Sequence, residues 1–113
     1  MAGSAPAANP PTQDDVLASL AAAADAARQA YMAAQVANPG ADLSSLYVLE
    51  MKAAAVWSEA EDAALTNDPG IASAQADLDA ATKDIRAKLG TLTDIKAWLT
   101  LLDNVVKLAG TLK

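Results

Sequence analysis

The sequence of 113 residues contains no cysteine and no histidine. Without cysteine the chain can form no disulfide, no iron–sulfur cluster and no thiolate zinc site, and it has no thiol nucleophile. Without histidine it lacks the commonest general base and the commonest transition-metal ligand, which excludes a Ser-His-Asp triad and a histidine-ligated haem. We therefore expect a protein that is not an enzyme, that uses no cofactor and that takes no small-molecule substrate.

Long apolar runs and targeting signals are also missing. No uninterrupted apolar run of about 18 residues occurs, so the sequence predicts no transmembrane helix. Residues 1–11 contain no basic side chain and no apolar stretch of signal-peptide length. The default expectation is the cytoplasm, while export by a route that needs no signal peptide stays open.

Negative charge prevails over positive charge. Fourteen Asp and Glu residues stand against eight Lys and Arg residues, a formal net charge of −6. A chain of this sign repels phosphate backbones, so we expect no nucleic-acid partner. The excess is uneven, since residues 1–70 carry nine acids and two bases, whereas residues 71–113 carry five acids and six bases. Either the charged side chains of both halves are simply solvated, or the acidic first half and the slightly basic second half attract each other.

The chain is instead rich in alanine, with 30 alanines and 14 leucines. Apolar residues recur at spacings of three and four in four segments, and no segment alternates with period two. Breakers at residues 38–40 (Asn-Pro-Gly), at residues 67–70 and at Gly90 separate these segments. The sequence predicts an all-α, antiparallel up-down four-helix bundle. Its predicted helices span residues 13–37, 43–66, 69–89 and 92–109.

The predicted helix ends rest on local signals. Thr12, Asp42, Asp68 and Thr91 are expected to cap the four helices, with Pro69 in the first turn of the third. Gly90 is expected to end the third helix in a left-handed conformation, and Gly110 to end the fourth. Three prolines in residues 1–11 predict a disordered N-terminal arm, and residues 12–113 are expected to form a single domain.

The fourth helix differs from the other three in bulk. The first three present mainly alanine, which lets helix axes approach closely but buries little area, whereas the fourth is dense in Leu, Val, Ile and Trp. We expect the fourth helix to supply most of the core volume. Its apolar face is wide enough to leave a surplus for a partner or a second copy. A membrane-surface role for the amphipathic segment 92–112 is the alternative.

The expected function is that of a helical protein–protein interaction or structural module. Its interface residues are predicted on the outward part of the fourth helix and on the exposed part of the second. They are Trp98, Leu101, Val105, Leu108, Tyr47 and Trp57.

A cluster of carboxylates is the second candidate site. If the second and third helices are antiparallel neighbours about residues 67–70, acidic side chains on both sides of that turn come close together. A Ca²⁺ or Mg²⁺ ion takes oxygen ligands of this kind, although a solvated acidic surface explains the same residues. The members are Glu59, Glu61, Asp62, Asp77 and Asp79.

Overall fold

The computed structural model describes residues 13–62 and 71–112, and the side chains of this part except those of Gln13 and Asp62. Four α-helices make up nearly all of it: α1 (Gln13–Ala37), α2 (Ser44–Asp62), α3 (Ile71–Lys88) and α4 (Ile95–Gly110). The described residues contain no strand. The predicted all-α four-helix fold is confirmed, while the predicted arm of residues 1–11 and the turn of residues 67–70 lie outside the described residues.

Helices α1 and α2 form an antiparallel hairpin around the turn of residues 38–43. The ring centroids of Tyr31 on α1 and Tyr47 on α2 lie 5.9 Å apart, with the planes tilted by 57°. Further from the turn, Ala24 of α1 and Trp57 of α2 line one groove. Residues of decreasing number on α1 thus meet residues of increasing number on α2, as two helices of opposite direction require.

Helices α1 and α3 lie side by side and run in the same direction. Near the start of both helices, the Gln75 amide Nε2 donates a hydrogen bond to Ser19 Oγ at 3.0 Å. About two turns further along α1 and three turns further along α3, Arg86 Nη2 lies 3.8 Å from the Asp25 carboxylate. Because α4 returns along α3 after a short turn, the helix directions alternate up-down-up-down along the chain.

The arrangement of neighbours is a rhombus in cross-section. Both α1 and α4 pack against all three other helices, whereas α2 and α3 make no contact in the described part of the chain. The condition for the carboxylate cluster, that the second and third helices are antiparallel neighbours, is therefore not met in the described residues. The physical reason is the alanine on the buried face of α1, which lets α4 approach across the centre and leaves α2 and α3 on opposite sides.

Helix α4 supplies the largest buried side chain of the core, that of Trp98, while Leu20, Leu46, Leu78 and Ile85 of the other three helices are also completely buried. Trp98, Leu102 and Val105 are completely buried. The indole Nε1 of Trp98 also donates a hydrogen bond to the Leu92 carbonyl at 3.1 Å, so the polar atom of this ring is satisfied inside the core. The buried face of α1 consists mostly of small side chains that meet this bulk. Its members are Val16, Ser19, Leu20, Ala23, Ala26, Ala27, Ala30 and Ala34.

The helix ends agree with the sequence signals in part. Asp42 accepts hydrogen bonds from the backbone N–H and the hydroxyl of Ser44, the first residue of α2, as its predicted capping role requires. Helix α4 begins at Ile95, three residues later than predicted. Its cap is Asp94, which accepts from the Lys96 N–H at 3.2 Å, and not Thr91.

One of the two predictions for glycine is wrong, because Gly90 does not adopt a left-handed conformation. The other is confirmed, since α4 ends at Gly110 and is followed by a right-handed cap at Thr111. The glycine with positive φ in the described part is Gly40, at φ 79°, in the turn between α1 and α2. A left-handed residue is needed there because the chain must reverse within a few residues, and glycine adopts it without steric cost.

Candidate interaction surface

Two of the predicted interface residues lie inside the core. Trp98 and Val105 are completely buried between α4 and the helices that pack on it, so the prediction that they face outward is wrong. The physical reason is that α4 packs against three helices, so much of its wide apolar face is buried in these contacts.

The other four predicted residues retain contact with solvent. Leu101 and Leu108 of α4 are half-buried against the core. Trp57 of α2 is also half-buried and lines a groove of about 380 Å³ between α1 and α2, together with Arg28 and Glu50. Tyr47 of α2 is 47% exposed, which makes it the most accessible of the six predicted residues.

The strongest exposed apolar feature lies at the turn between α1 and α2. Five large apolar side chains are 47% to 81% exposed, and each lies within about three helical turns of that turn. We call these residues the turn-end patch. They are Met32, Val36, Tyr47, Val48 and Met51. Of the five, the sequence prediction contained only Tyr47.

Four of the five patch residues lie in a nearly uncharged stretch of the sequence, while Met51 stands between Glu50 and Lys52. Between Arg28 and Glu50 the only charged side chain in the sequence is Asp42. This stretch of 21 residues with one charge is visible in the sequence. It could have indicated this end of the bundle as a candidate contact surface. Apolar side chains that are exposed without charges between them are what a contact surface presents.

On one side of the turn, the patch borders a neutral polar pocket of about 510 Å³. Tyr31 and Tyr47 form its aromatic walls, and Gln35, Asn38 and Ser44 supply uncharged polar groups. Tyrosine offers a rigid apolar ring with a hydroxyl that can donate and accept hydrogen bonds. The pocket thus combines apolar area with hydrogen bonding and contains no ionic group among its lining residues.

On the other side of the turn, Met32 and Val36 line an apolar groove of about 370 Å³. Leu89 and Leu92, from the connection between α3 and α4, form its opposite wall. The two turns are tied together, because Asn38 Nδ2 donates a hydrogen bond to the Thr93 carbonyl at 2.8 Å. Both connections therefore contribute to one end of the bundle.

Asp42 is the single carboxylate within this end of α1 and α2, and its pKa is lowered. The hydroxyl of Ser44 is the main cause, and the backbone N–H of Ser44 adds to the effect, because both donate to the ionised carboxylate. The negative charge of Asp42 is thus engaged at the start of α2, where the helix dipole also favours it.

The predicted carboxylate cluster is not assembled. Glu59 and Glu61 lie on α2 and Asp77 and Asp79 on α3, and these two helices make no contact in the described part. No group of three or more Asp or Glu side chains close enough to hold a metal ion occurs among the residues described. The side chain of Asp62, the fifth predicted member, lies outside that description.

None of the helices described is both long enough and apolar enough to cross a membrane. Comparison of the sequence with protein-family models and with curated proteins, and of the structure with solved structures, found no match.

Proposed function

We propose that this chain is a non-enzymatic helical module for protein–protein interaction and that the turn-end patch is its contact surface. The observation that supports the proposal most is the exposure of Met32, Val36, Tyr47, Val48 and Met51 at one end of a bundle whose other large apolar side chains in the described part are buried or half-buried. An exposed apolar patch without charges marks a surface that another protein covers.

The composition of the patch favours a protein partner. Tyrosine and methionine are enriched in the buried centres of protein interfaces, where charged residues are depleted. Methionine is flexible and polarizable, so Met32 and Met51 can adapt to the shape of an apposed side chain. Tyr47 is already oriented by its contact with the Tyr31 ring, which lowers the entropy lost on binding.

The alternative is a membrane-surface protein that acts through residues 92–112. Such a role would require α4 to leave the bundle, because its large apolar side chains Trp98, Leu102 and Val105 are completely buried. Removing these side chains from the core would cost several kcal/mol for each of them, at roughly 2–5 kcal/mol per large residue. The proposal favours a folded bundle that keeps α4 in place.

Site-specific photocrosslinking tests the proposal in the cells that produce the protein. The photoreactive amino acid p-benzoylphenylalanine replaces Val48, which is exposed and lies between Tyr47 and Met51, the other two patch residues of α2. We expect irradiation to give a covalent adduct with a protein. A matched chain with the same amino acid at the exposed Ala76 of α3 is the control and should give none.

Adducts that form equally at both positions, or at neither of them, would contradict the proposal. Co-sedimentation with vesicles of neutral and of anionic phospholipid distinguishes the alternative. Binding to vesicles that is lost when Leu101 and Leu108 are changed to Ser, while photocrosslinks from Val48 are absent, would support the membrane-surface role of α4 in place of the proposed one.

A further inference from the structure

We propose that the partner which covers the turn-end patch is a second copy of this chain, in a two-fold symmetric dimer. The inference rests on the proposed function, since it names the partner of the same surface. In such a dimer both copies use the same surface, so the turn-end patch of one chain packs against the turn-end patch of the other.

Charge argues for a second copy as the occupant. Residues 13–62, which comprise α1, α2 and the turn between them, contain eight acids and two bases and carry a charge of −6. Two copies that met on the acidic parts of these helices would bring like charges together, which costs several kcal/mol at an interface. Residues 29–49 carry one charge, on Asp42. This end of the hairpin is the part where two such copies meet with the least repulsion.

Distance strengthens the charge argument. Asp14 and Asp15 lie at the start of α1, about 30 Å along the helix from Val36 at 1.5 Å per residue. Screening acts over about 8 Å at physiological ionic strength, so acids at the far end of one copy contribute little repulsion at the patch. A partner recognised by its positive charge would instead be drawn to that far end.

The area of the patch matches the requirement of a dimer of ordinary size. With about 150–200 Å² for each side chain, the exposed fractions of the five residues amount to on the order of 450 Å². A standard interface buries about 800 Å² on each partner, of which somewhat over half is apolar. The patch therefore supplies roughly the apolar share, and the polar pocket beside Tyr47 borders it.

Sedimentation equilibrium of the full chain tests the dimer. Over a range from about 5 to 500 μM, we expect the mass to rise from 11.5 kDa towards twice that value. The double variant Val48→Glu with Met51→Glu places like charges in the contact, and its dissociation constant should be at least about tenfold higher. Raising the salt concentration should leave the dimer of the unaltered chain intact, because its contact does not depend on charge.

A matched control separates the effect of the patch from that of net charge. The double variant Ala72→Glu with Ala76→Glu adds the same two charges on exposed positions of α3, one helical turn apart as in the patch variant. It should dimerise like the unaltered chain. Circular dichroism melting curves of both double variants should match that of the unaltered chain, since all four positions are exposed.

Three results would overturn the dimer. One is a mass that stays at 11.5 kDa across the whole range, and another is a mass that rises equally in both double variants. The third is loss of the dimer in the α3 control. If the chain stays monomeric while photocrosslinks from Val48 capture a different protein, the dimer is wrong and the proposed interaction module stands. If Val48 gives no crosslink either, both are wrong.

Discussion

The apolar side chains of α4 and those of the turn-end patch are of similar chemical type but differ in their exposure to solvent. On α4, Trp98, Leu102 and Val105 are completely buried, whereas at the turn between α1 and α2 Val36 is 81% exposed and Met51 is 54% exposed. Helix α4 packs against three neighbours, while Met32 and Val36 of the patch line an open groove and Tyr47 lines a pocket on the other side of the turn.

The difference shows that apolar density along a helix does not indicate where a partner binds, since the bulky side chains of α4 are buried in the core. Helix α4 is the most apolar of the four described helices, it lies at the centre of the bundle, and its bulky side chains Trp98, Leu102 and Val105 are buried in the core. The patch lies on helices that are leaner overall. A candidate surface is therefore found from exposure without charge, as at Tyr47 and Val48, and not from hydrophobicity alone.

The largest expected effect comes from truncating the core residue Trp98 to Ala. The variant should lose about 3–5 kcal/mol of unfolding free energy, because it opens a large cavity and removes a satisfied indole. Chemical denaturation followed by circular dichroism measures the loss. The same truncation in the patch, Met51→Ala, should change the stability by less than about 0.5 kcal/mol. Similar losses in both variants would abolish the distinction between the two surfaces.

A smaller effect is expected from enlarging an alanine of α1. Ala30 is completely buried on the helix that faces α4, so Ala30→Leu should overpack the contact and cost about 1–3 kcal/mol. The exposed Ala55 of α2 provides the control, since Ala55→Leu should leave the denaturation midpoint nearly unchanged. A stabilising Ala30→Leu variant would show that α1 and α4 are not in close contact.

The smallest effect concerns the turn itself. Removing the hydroxyl with Ser44→Ala should raise the pKa of Asp42 towards its usual value, because one of its two donors is lost. A carboxylate whose pKa is lowered by folding stabilises the protein above its unfolded pKa, and the contribution disappears as the pH falls through the folded pKa. The variant should therefore lose less stability on acidification. An NMR titration of the Asp42 carboxyl carbon measures the shift, and an unchanged pKa would contradict the assigned cause.

Most of the fold could be predicted from local patterns. The run that precedes Asn38-Pro39-Gly40 predicts a first helix of residues 13–37, and α1 has these bounds. The start of α4 was misplaced because two capping residues, Thr91 and Asp94, stand three positions apart and both fit the pattern. In the structure Asp94 is the cap, and the Leu92 carbonyl ahead of it accepts a hydrogen bond from the buried Trp98 indole.

The candidate surface was predicted only in part. Tyr47 was named from the sequence, whereas Val48 and Met51 were not, because α2 carries apolar residues on several sides. Leu46 and Val48 are both apolar and nearly adjacent, yet the first is completely buried and the second is 48% exposed. Periodicity locates a helix of this kind but leaves the direction of its buried face ambiguous.

The sequence by itself determined the four-helix architecture, most of the helix bounds and the presence of a single charge, on Asp42, between Arg28 and Glu50. These properties follow from interactions between residues a few positions apart, such as caps, breakers and side-chain spacing. Only the tertiary structure decided that α4 lies at the centre, that α1 and α3 run in parallel, and that α2 and α3 stay apart in the described residues. Burial depends on which surfaces meet, and that choice is made by the packing of alanine faces against bulky ones.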